Sequence, residues 1–141
     1  MRHTWTYPAV FETHLDGEIL VRFPDFPEAL TGADTQAGAM SLAADALEAV
    51  VLAYLADGRA VPTPGAAGAG QVAVALDPTT AARAALAETM RTQRVTHAAL
   101  ARRMDRTEGA VRRLTNGAAS VKIETVLDAL ATLGRRATLS V

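Results

Sequence analysis

Arginine is the residue type best placed to do chemistry in this chain of 141 residues. Residues 78–141 hold 11 Lys or Arg against 5 Asp or Glu, a net charge of +6, whereas residues 1–77 hold 3 against 10, a net charge of −7. Because guanidinium groups pair with phosphates and guanine edges, the basic half favours a polyanionic partner such as DNA, and the acidic half favours a basic partner. Seven arginines crowd one segment: Arg91, Arg94, Arg102, Arg103, Arg106, Arg112 and Arg113.

Two short helices joined by about three residues are expected to hold these arginines. Thr96 and Thr107 are predicted N-caps, because a threonine hydroxyl satisfies a free backbone N–H at a helix start. The second helix, Glu108 to Thr115, turns Val111 and Leu114 toward the core. This spacing is typical of a DNA-binding helix-turn-helix, although a helical bundle with solvated arginines remains the alternative. The outward face of the second helix carries Glu108, Gly109, Arg112 and Arg113.

Further elements flank this pair of helices. Asp77 and Pro78 are expected to open a preceding helix that runs to about Gln93. A following helix is expected to end at Gly134. Alternating apolar and polar residues over 136–141 predict a short final strand.

The acidic half is expected to fold as β-β-β-α-β. The Asp16-Gly17 turn signal predicts a hairpin of strands over 5–11 and 18–23, which a third strand over 28–32 follows. A long helix capped by Asp34 or Thr35 then runs to Gly58, and a strand over 71–76 completes the unit. An apolar stripe from Met40 through Leu47 to Leu55 is expected to face the sheet.

The carboxylates of this half do not predict a catalytic centre. A two-metal nuclease with a similar order of elements needs acids that converge on one point. The acids here fall mostly near turns and strand ends: Glu12, Glu18, Asp25, Glu28 and Asp34. We therefore expect no catalytic residue, no metal and no cofactor, and we keep a nuclease only as a third hypothesis. Asp25, Glu28 and Asp34 are the candidates for contact with a basic partner.

Composition favours a soluble cytoplasmic protein. The sequence has no cysteine, which excludes disulfides and thiolate metal sites, and its three histidines lack metal-ligand spacing. No apolar run approaches the roughly 20 residues that a membrane span needs. The first residues lack the apolar core of a signal peptide. With half of its residues apolar, the chain suits one domain or two small ones.

The segment from Thr96 to Gly117 resembles the helix-turn-helix of the Xre/Cro/phage-repressor class. The residues that match its motif are Thr96, Leu100, Ala101, Thr107, Val111, Leu114 and Gly117. His97 stands where glutamine is common, and Asp105 stands where glycine is common. The resemblance implies that His97 touches phosphate and that Glu108 and Gly109 face bases, where Glu108 would accept from cytosine. The DNA-binding residues it implies are Thr96, His97, Arg106, Thr107, Glu108, Gly109, Arg112, Arg113 and Asn116.

Nearly the whole chain resembles HicB-type antitoxins. The matching features are the hairpin, the phrase FPDFPEALT over 23–31, the helix entry over 32–35, the alanine-rich helix, and VPTP over 61–64. The resemblance implies an α+β fold. Residues 1–77 would form a β-β-β-α-β toxin-binding domain like a degraded ribonuclease H. Residues 78–141 would form a small helix-turn-helix domain with a short C-terminal strand, whereas many family members carry a ribbon-helix-helix there.

This resemblance implies a function for each half. The N-terminal domain would bind a HicA-like toxin, a small basic ribonuclease that cleaves mRNA, with Asp25, Glu28 and Asp34 at the interface. The C-terminal domain would bind operator DNA and repress its own operon as a homodimer or homotetramer, with no membrane and no enzymatic activity involved. The alternative is a stand-alone repressor whose α/β domain senses a ligand or oligomerises. A HicA-like reading frame beside the gene would discriminate between the two.

Overall fold

A unit of strands with one long helix comes first along the chain, and a run of helices follows it. The computed structural model describes residues 3–141. The α+β expectation of a β-β-β-α-β unit followed by helices is confirmed. The elements are β1 (Thr6–Thr13), β2 (Ile19–Phe23), β3 (Phe26–Ala33), α1 (Gln36–Ala56), β4 (Val72–Ala75), α2 (Pro78–Gln93), α3 (His97–Met104), α4 (Glu108–Thr115) and α5 (Ile123–Thr132).

The four strands form an antiparallel sheet in the order β3-β2-β1-β4. The β1–β2 hairpin closes with the N–H of His14 donating to the carbonyl of Glu18 at 2.8 Å. Gly17 adopts φ 90°, a backbone conformation that glycine reaches without a Cβ clash. Tyr7 and Val21 are fully buried on one face of the sheet, and the Tyr7 ring lies 4.9 Å from that of Phe26.

Helix α1 provides the other half of this core. The hydroxyl of Thr35 accepts from the N–H of Gly38 at 3.0 Å, so Thr35 rather than Asp34 caps the helix. The buried positions include Ala39, Ala43 and Leu47, which recur every four residues. Met40 was expected in this stripe, but it lies one residue, or about 100°, away from that row and is 37% exposed.

Helix α1 also has the length and composition of a membrane-spanning segment, since it has 21 residues and an 18-residue window within it has a mean hydropathy of 1.6. The expectation that no apolar segment approaches that length was therefore wrong. The core helix of a small sheet passes the same test, because it is apolar on its buried face and rich in alanine elsewhere. We interpret α1 as a core helix on the strength of its fully buried residues Ala43, Leu47 and Val51.

The chain divides into two compact units. The first reaches Val50 and includes Pro62–Leu76, and the second consists of Val51–Val61 and Asp77–Val141. In the second unit, Asp77 caps α2 by accepting from the N–H of Thr79 at 3.0 Å, and Pro78 occupies the first turn. The apolar core of this unit comprises Ala82, Leu86, Met90, Leu100, Ala101, Val111, Leu114, Val126, Ala129, Leu130 and Leu133.

The end of the chain differs from the expectation. Residues 135–141 belong to no helix or strand in the structure, so the strand predicted over Arg136–Val141 is not formed in the single chain. A β-strand exists through ladder hydrogen bonds, and no described strand pairs with this segment. Leu139 and Val141 are largely exposed as a result.

Candidate functional site

Helices α3 and α4 form a tight pair joined by residues 105–107. The hydroxyl of Thr96 accepts from Ala99 N–H at 3.0 Å, and that of Thr107 accepts from Ala110 N–H at 3.1 Å. Both threonines therefore act as the N-caps that the sequence predicts. Asp105 ends α3 with φ 54°, the left-handed conformation that explains why glycine is common at this position.

Helix α4 has one buried face and one open face. Val111 is fully buried and Leu114 is 4% exposed, so both face the core as their spacing predicts. Gly109 faces open space, since no atom lies within 4 Å of where its Cβ would stand. The side chains on the open face are those that the sequence places there: Glu108, Arg112 and Arg113.

Glu108 and Arg112 form an ion pair along the open face of α4. The Glu108 carboxylate accepts from Arg112 Nη2 at 2.5 Å and from Nε at 3.2 Å, with the four-residue spacing that suits a helix. Both side chains are about half exposed or more, so the pair contributes little to stability. A base or phosphate that binds one of these two side chains has to displace the other side chain of the ion pair.

His97 links the start of α3 to the end of α4. Its Nε2 lies 2.9 Å from the hydroxyl of Thr115, which itself donates to the carbonyl of Arg112 at 3.4 Å. Partial burial, with the nearby positive charge of Arg112, lowers the pKa of His97 below its ordinary 6.5, against an opposing effect of Glu108. The imidazole is therefore neutral near pH 7 and acts as a brace for α4.

Arg83 is a residue supporting the candidate site that reasoning from the sequence missed. It is 4% exposed on α2, and its Nε donates to the carbonyl of Leu114 at 3.1 Å. Its Nη2 donates to the carbonyls of Arg113, at 3.3 Å, and Asn116. The fork thus holds three carbonyls at the end of α4, where a helix leaves acceptors unsatisfied. The sequence did contain a signal for its burial, because Arg83 lies three residues before the buried Leu86 and therefore on the same face of α2.

The two residues that follow α4, Asn116 and Gly117, are held in place by contacts with main-chain atoms. Asn116 is the C-cap, and its side-chain oxygen accepts from Ala118 N–H at 3.1 Å. A Cβ on Gly117 would overlap the main-chain carbonyl of Leu52, within the second unit. Only glycine fits this approach, which accounts for the glycine at this position of the motif.

Of the remaining basic residues of the motif, Arg106 lies in the turn before α4 and Arg113 lies on α4 itself. Arg106 is exposed in the turn and is held by its N–H, which donates to the carbonyl of Ala101 at 2.9 Å. Arg113 lines a cleft of about 500 Å³ between α4 and the start of α5, together with Lys122 and the hydroxyl-bearing Thr107, Ser120 and Thr125. This cleft extends the basic surface beyond the helix itself.

The three acidic candidates of the first unit follow the edge strand β3. Glu28 is an exposed residue on this strand, whereas Asp25 precedes it and Asp34 follows it. The Asp25 carboxylate accepts from the N–H of Gly65 at 3.2 Å, which ties it to the 62–70 loop. Because β3 is extended, these acids are spread along one edge of the sheet and do not converge. Across residues 3–141, no group of three or more His, Asp or Glu side chains has the arrangement of a metal site.

Known proteins resemble the chain over nearly its whole length. A family model described as a HicB-like antitoxin of bacterial toxin–antitoxin systems matches residues 6–85. Antitoxin HicB 2 of Photorhabdus laumondii is 37% identical over 135 residues, which cover 96% of this chain and 95% of the relative. Antitoxin HicB of Pseudomonas fluorescens is 35% identical over 143 residues, covering 100% and 98%. Antitoxin HicB of Escherichia coli is 30% identical over 133 residues, covering 94% and 96%.

These similarities define a class: a non-enzymatic regulatory protein, the antitoxin of a bacterial toxin–antitoxin system. The chain belongs to the HicB-like antitoxin family. Membership implies a toxin as partner, which in this system is HicA. The resemblance deduced from the sequence is thereby confirmed for the family.

Proposed function

We propose that this chain neutralises a HicA-like ribonuclease toxin with its N-terminal half and represses its own operon by binding operator DNA with α3 and α4. The observation that carries the DNA-binding part is the geometry of α4. The helix is capped at Thr107, anchored by buried Val111 and Leu114, and presents Arg112 and Arg113 outward. A helix exposed in this way fits the major groove, where arginine pairs with guanine or phosphate.

The toxin-binding part rests on charge and on the edge strand β3. The first 77 residues have a net charge of −7, which favours fast association with a basic ribonuclease. Glu28 and Leu30 are exposed on β3, and Leu30 is 64% exposed. An exposed leucine among acidic residues suits an interface with an apolar centre and a charged rim. We place Asp25, Glu28 and Asp34 in that rim.

Operator binding by two copies requires a dimer, which we propose forms through the C-terminal segment. Arg136–Val141 alternates apolar and polar side chains, yet it has no strand partner within the described chain. Pairing with the same segment of a second copy would satisfy its backbone and bury Leu139 and Val141. Two copies of α4 would then reach successive major grooves about 34 Å apart. As a soluble DNA-binding protein, it would act in the cytoplasm.

Arg112 provides the experiment for the DNA-binding part. The Arg112→Ala variant should bind the chain's own promoter more weakly, as measured by fluorescence anisotropy against a random duplex. A lost base contact costs about 1 to 3 kcal/mol on the promoter alone, whereas a lost phosphate contact weakens both duplexes alike. Arg22→Ala, which removes the same charge from the first unit, is the matched control. Equal promoter affinities of the unaltered chain, Arg112→Ala and Arg22→Ala would contradict the proposal.

The second candidate function is a stand-alone repressor whose α/β unit senses a ligand or oligomerises. The same helices α3 and α4 support its DNA binding, so promoter binding does not separate it from an antitoxin. Loss of growth on expression of the neighbouring reading frame, with rescue by this chain, would decide for the antitoxin. Promoter binding without any rescue would decide for the stand-alone repressor.

A further inference from the structure

The ion pair between Glu108 and Arg112 lies on the same open face of α4 that we assign to the major groove. Oε1 of Glu108 accepts from Nε of Arg112 at 3.2 Å and from Nη2 at 2.5 Å. These two donors form one of the bidentate forks with which a guanidinium group binds guanine or phosphate. A ligand that uses this fork must therefore take it from the carboxylate.

Both side chains are free to leave the pair, because both are exposed. The side chain of Arg112 is 61% exposed and that of Glu108 is 47% exposed. An ion pair in contact with water contributes little, so a ligand that offers Arg112 a stronger partner separates the two side chains. The energetic consequence of binding then depends on what the displaced carboxylate meets.

Once displaced, the Glu108 carboxylate depends on the DNA for a hydrogen-bond donor. Among the described residues 3–141, Arg112 is the one residue whose side chain hydrogen-bonds to Glu108. The neighbouring Gly109 brings no side chain, and no atom lies within 4 Å of where its Cβ would stand. A phosphate offers the carboxylate no donor and repels it through its negative charge.

The bases of the major groove differ in whether they offer this donor. Guanine presents two acceptors there and thymine presents one acceptor with a methyl group, whereas cytosine presents an amino group. Adenine also presents an amino group, but next to the acceptor N7, which repels a carboxylate. A cytosine beside the guanine that Arg112 binds therefore satisfies both members of the ion pair, whereas a phosphate satisfies Arg112 alone.

We propose that Glu108 determines specificity by exclusion: it keeps Arg112 from phosphates and bases unless the displaced carboxylate meets the amino group of a cytosine. Specificity of this kind depends on a penalty against the wrong partner as well as on attraction to the right one. The operator then has this cytosine in the same base pair as the guanine bound by Arg112 or in a neighbouring one. The inference rests on the proposed function, because it requires α4 to enter the major groove.

The Glu108→Ala variant tests the exclusion on random DNA. Arg112, freed from its carboxylate, should gain a phosphate contact, which steepens the slope of log K against log[salt] by about 0.9. When salt is lowered from about 0.3 to about 0.03 M, the random-duplex affinity of this variant should therefore rise about 8-fold more than that of the unaltered chain. In the Arg112→Ala background, the same replacement should leave the slope unchanged, because the arginine to be freed is absent.

The promoter provides the second readout, measured by fluorescence anisotropy. Loss of the cytosine contact in Glu108→Ala should lower the ratio of promoter affinity to random-duplex affinity by at least about 5-fold. Glu108→Gln keeps the shape of the side chain without its charge, and glutamine pairs with adenine. On promoters with single base-pair changes, Glu108→Gln should prefer adenine to cytosine at one position, a change that a merely structural role of Glu108 would not produce.

Glu12 provides a matched control in the first unit. Its Oε1 accepts from Nε of Arg22 at 3.3 Å and from Nη2 at 3.2 Å, so this ion pair has the same form as that on α4. Glu12→Ala removes the same charge and the same kind of pair, and it should change neither the salt slope nor the affinity ratio. Urea denaturation should show that Glu108→Ala leaves the second unit folded, because Glu108 lies at the surface.

Pyrophosphate tests the exclusion without DNA. In a titration of the full chain at constant ionic strength, the Nε–H resonance of Arg112 should shift more in Glu108→Ala than in the unaltered chain. Equal shifts in the two proteins would show that Glu108 does not keep Arg112 from phosphate, and would overturn the proposal even if the chain binds no promoter.

The outcomes separate this proposal from the proposed function. If the unaltered chain prefers its promoter, but Glu108→Ala changes neither the salt slope nor the affinity ratio, the exclusion is wrong and promoter binding by α4 stands. If the unaltered chain shows no preference for its promoter, the proposed function is wrong, and the pyrophosphate titration decides the role of Glu108.

Discussion

Replacing Arg83 with alanine removes the side chain that holds the end of α4. Arg83 is 4% exposed, and its guanidinium group donates to the carbonyls of Leu114, Arg113 and Asn116. The alanine variant leaves these three acceptors without that donor. The second unit should therefore lose stability, and α4 should fray from its C-terminal end.

The size of the loss follows from the contacts. Hydrogen bonds to a charged group contribute about 1.5 to 3 kcal/mol each. Removing the guanidinium group also removes the cost of burying it, so the net loss is less than the sum of three bonds. We expect Arg83→Ala to lower the free energy of unfolding by about 3 kcal/mol, which for a unit of this size lowers the midpoint temperature by about 15 °C.

Urea denaturation followed by circular dichroism measures this loss. Arg83→Lys keeps the charge but lacks the planar fork, so its free energy of unfolding should fall by less than that of Arg83→Ala. If the alanine variant does not fold, the lysine variant should still fold and allow the measurement. Arg91→Ala, an exposed arginine on the same helix, is the matched control and should change stability by about 0.5 kcal/mol at most. A loss below about 1 kcal/mol for Arg83→Ala would refute the role assigned to this side chain.

Three further predictions concern the second unit. Val111→Asp places an unpaired charge in the core and should unfold this unit, while pull-down of the toxin should persist if the two halves are independent. The lowered pKa of His97 means that the unfolded chain binds the proton more tightly, so stability should fall as pH drops below about 6.5. Urea midpoints at about pH 7.5 and about pH 5.5 should show a smaller difference for His97→Gln, and equal differences would contradict this. Deleting Arg136–Val141 should leave monomers with weak promoter binding, and an unchanged sedimentation coefficient would exclude that segment as the dimer contact.

Local signals in the sequence predicted most of the helical unit. Thr96 and Thr107 cap the helices as expected, because an N-cap depends only on the hydroxyl and the next three residues. Val111 and Leu114 are buried as their spacing predicts. The hairpin turn at Gly17 was equally predictable from the sequence, because the turn needs a positive φ, which glycine adopts readily.

The contacts that depend on tertiary structure were not predictable in this way. Arg83 has the spacing of a core residue, but its three acceptors lie about thirty residues later in the chain. The predicted final strand failed for the same reason, because alternation predicts an exposed face and a buried face but does not supply a pairing partner.

Purification of the tagged full-length chain from its native host tests the antitoxin account most directly. The account predicts that a small basic protein co-purifies, cleaves RNA once it is separated from the chain, and is inhibited again when the chain is added back. Charge reversal at Glu28 should weaken recovery of this protein, whereas Arg112→Ala should leave recovery unchanged. Recovery of the chain alone, while it still binds its own promoter, would contradict the account and favour a stand-alone repressor.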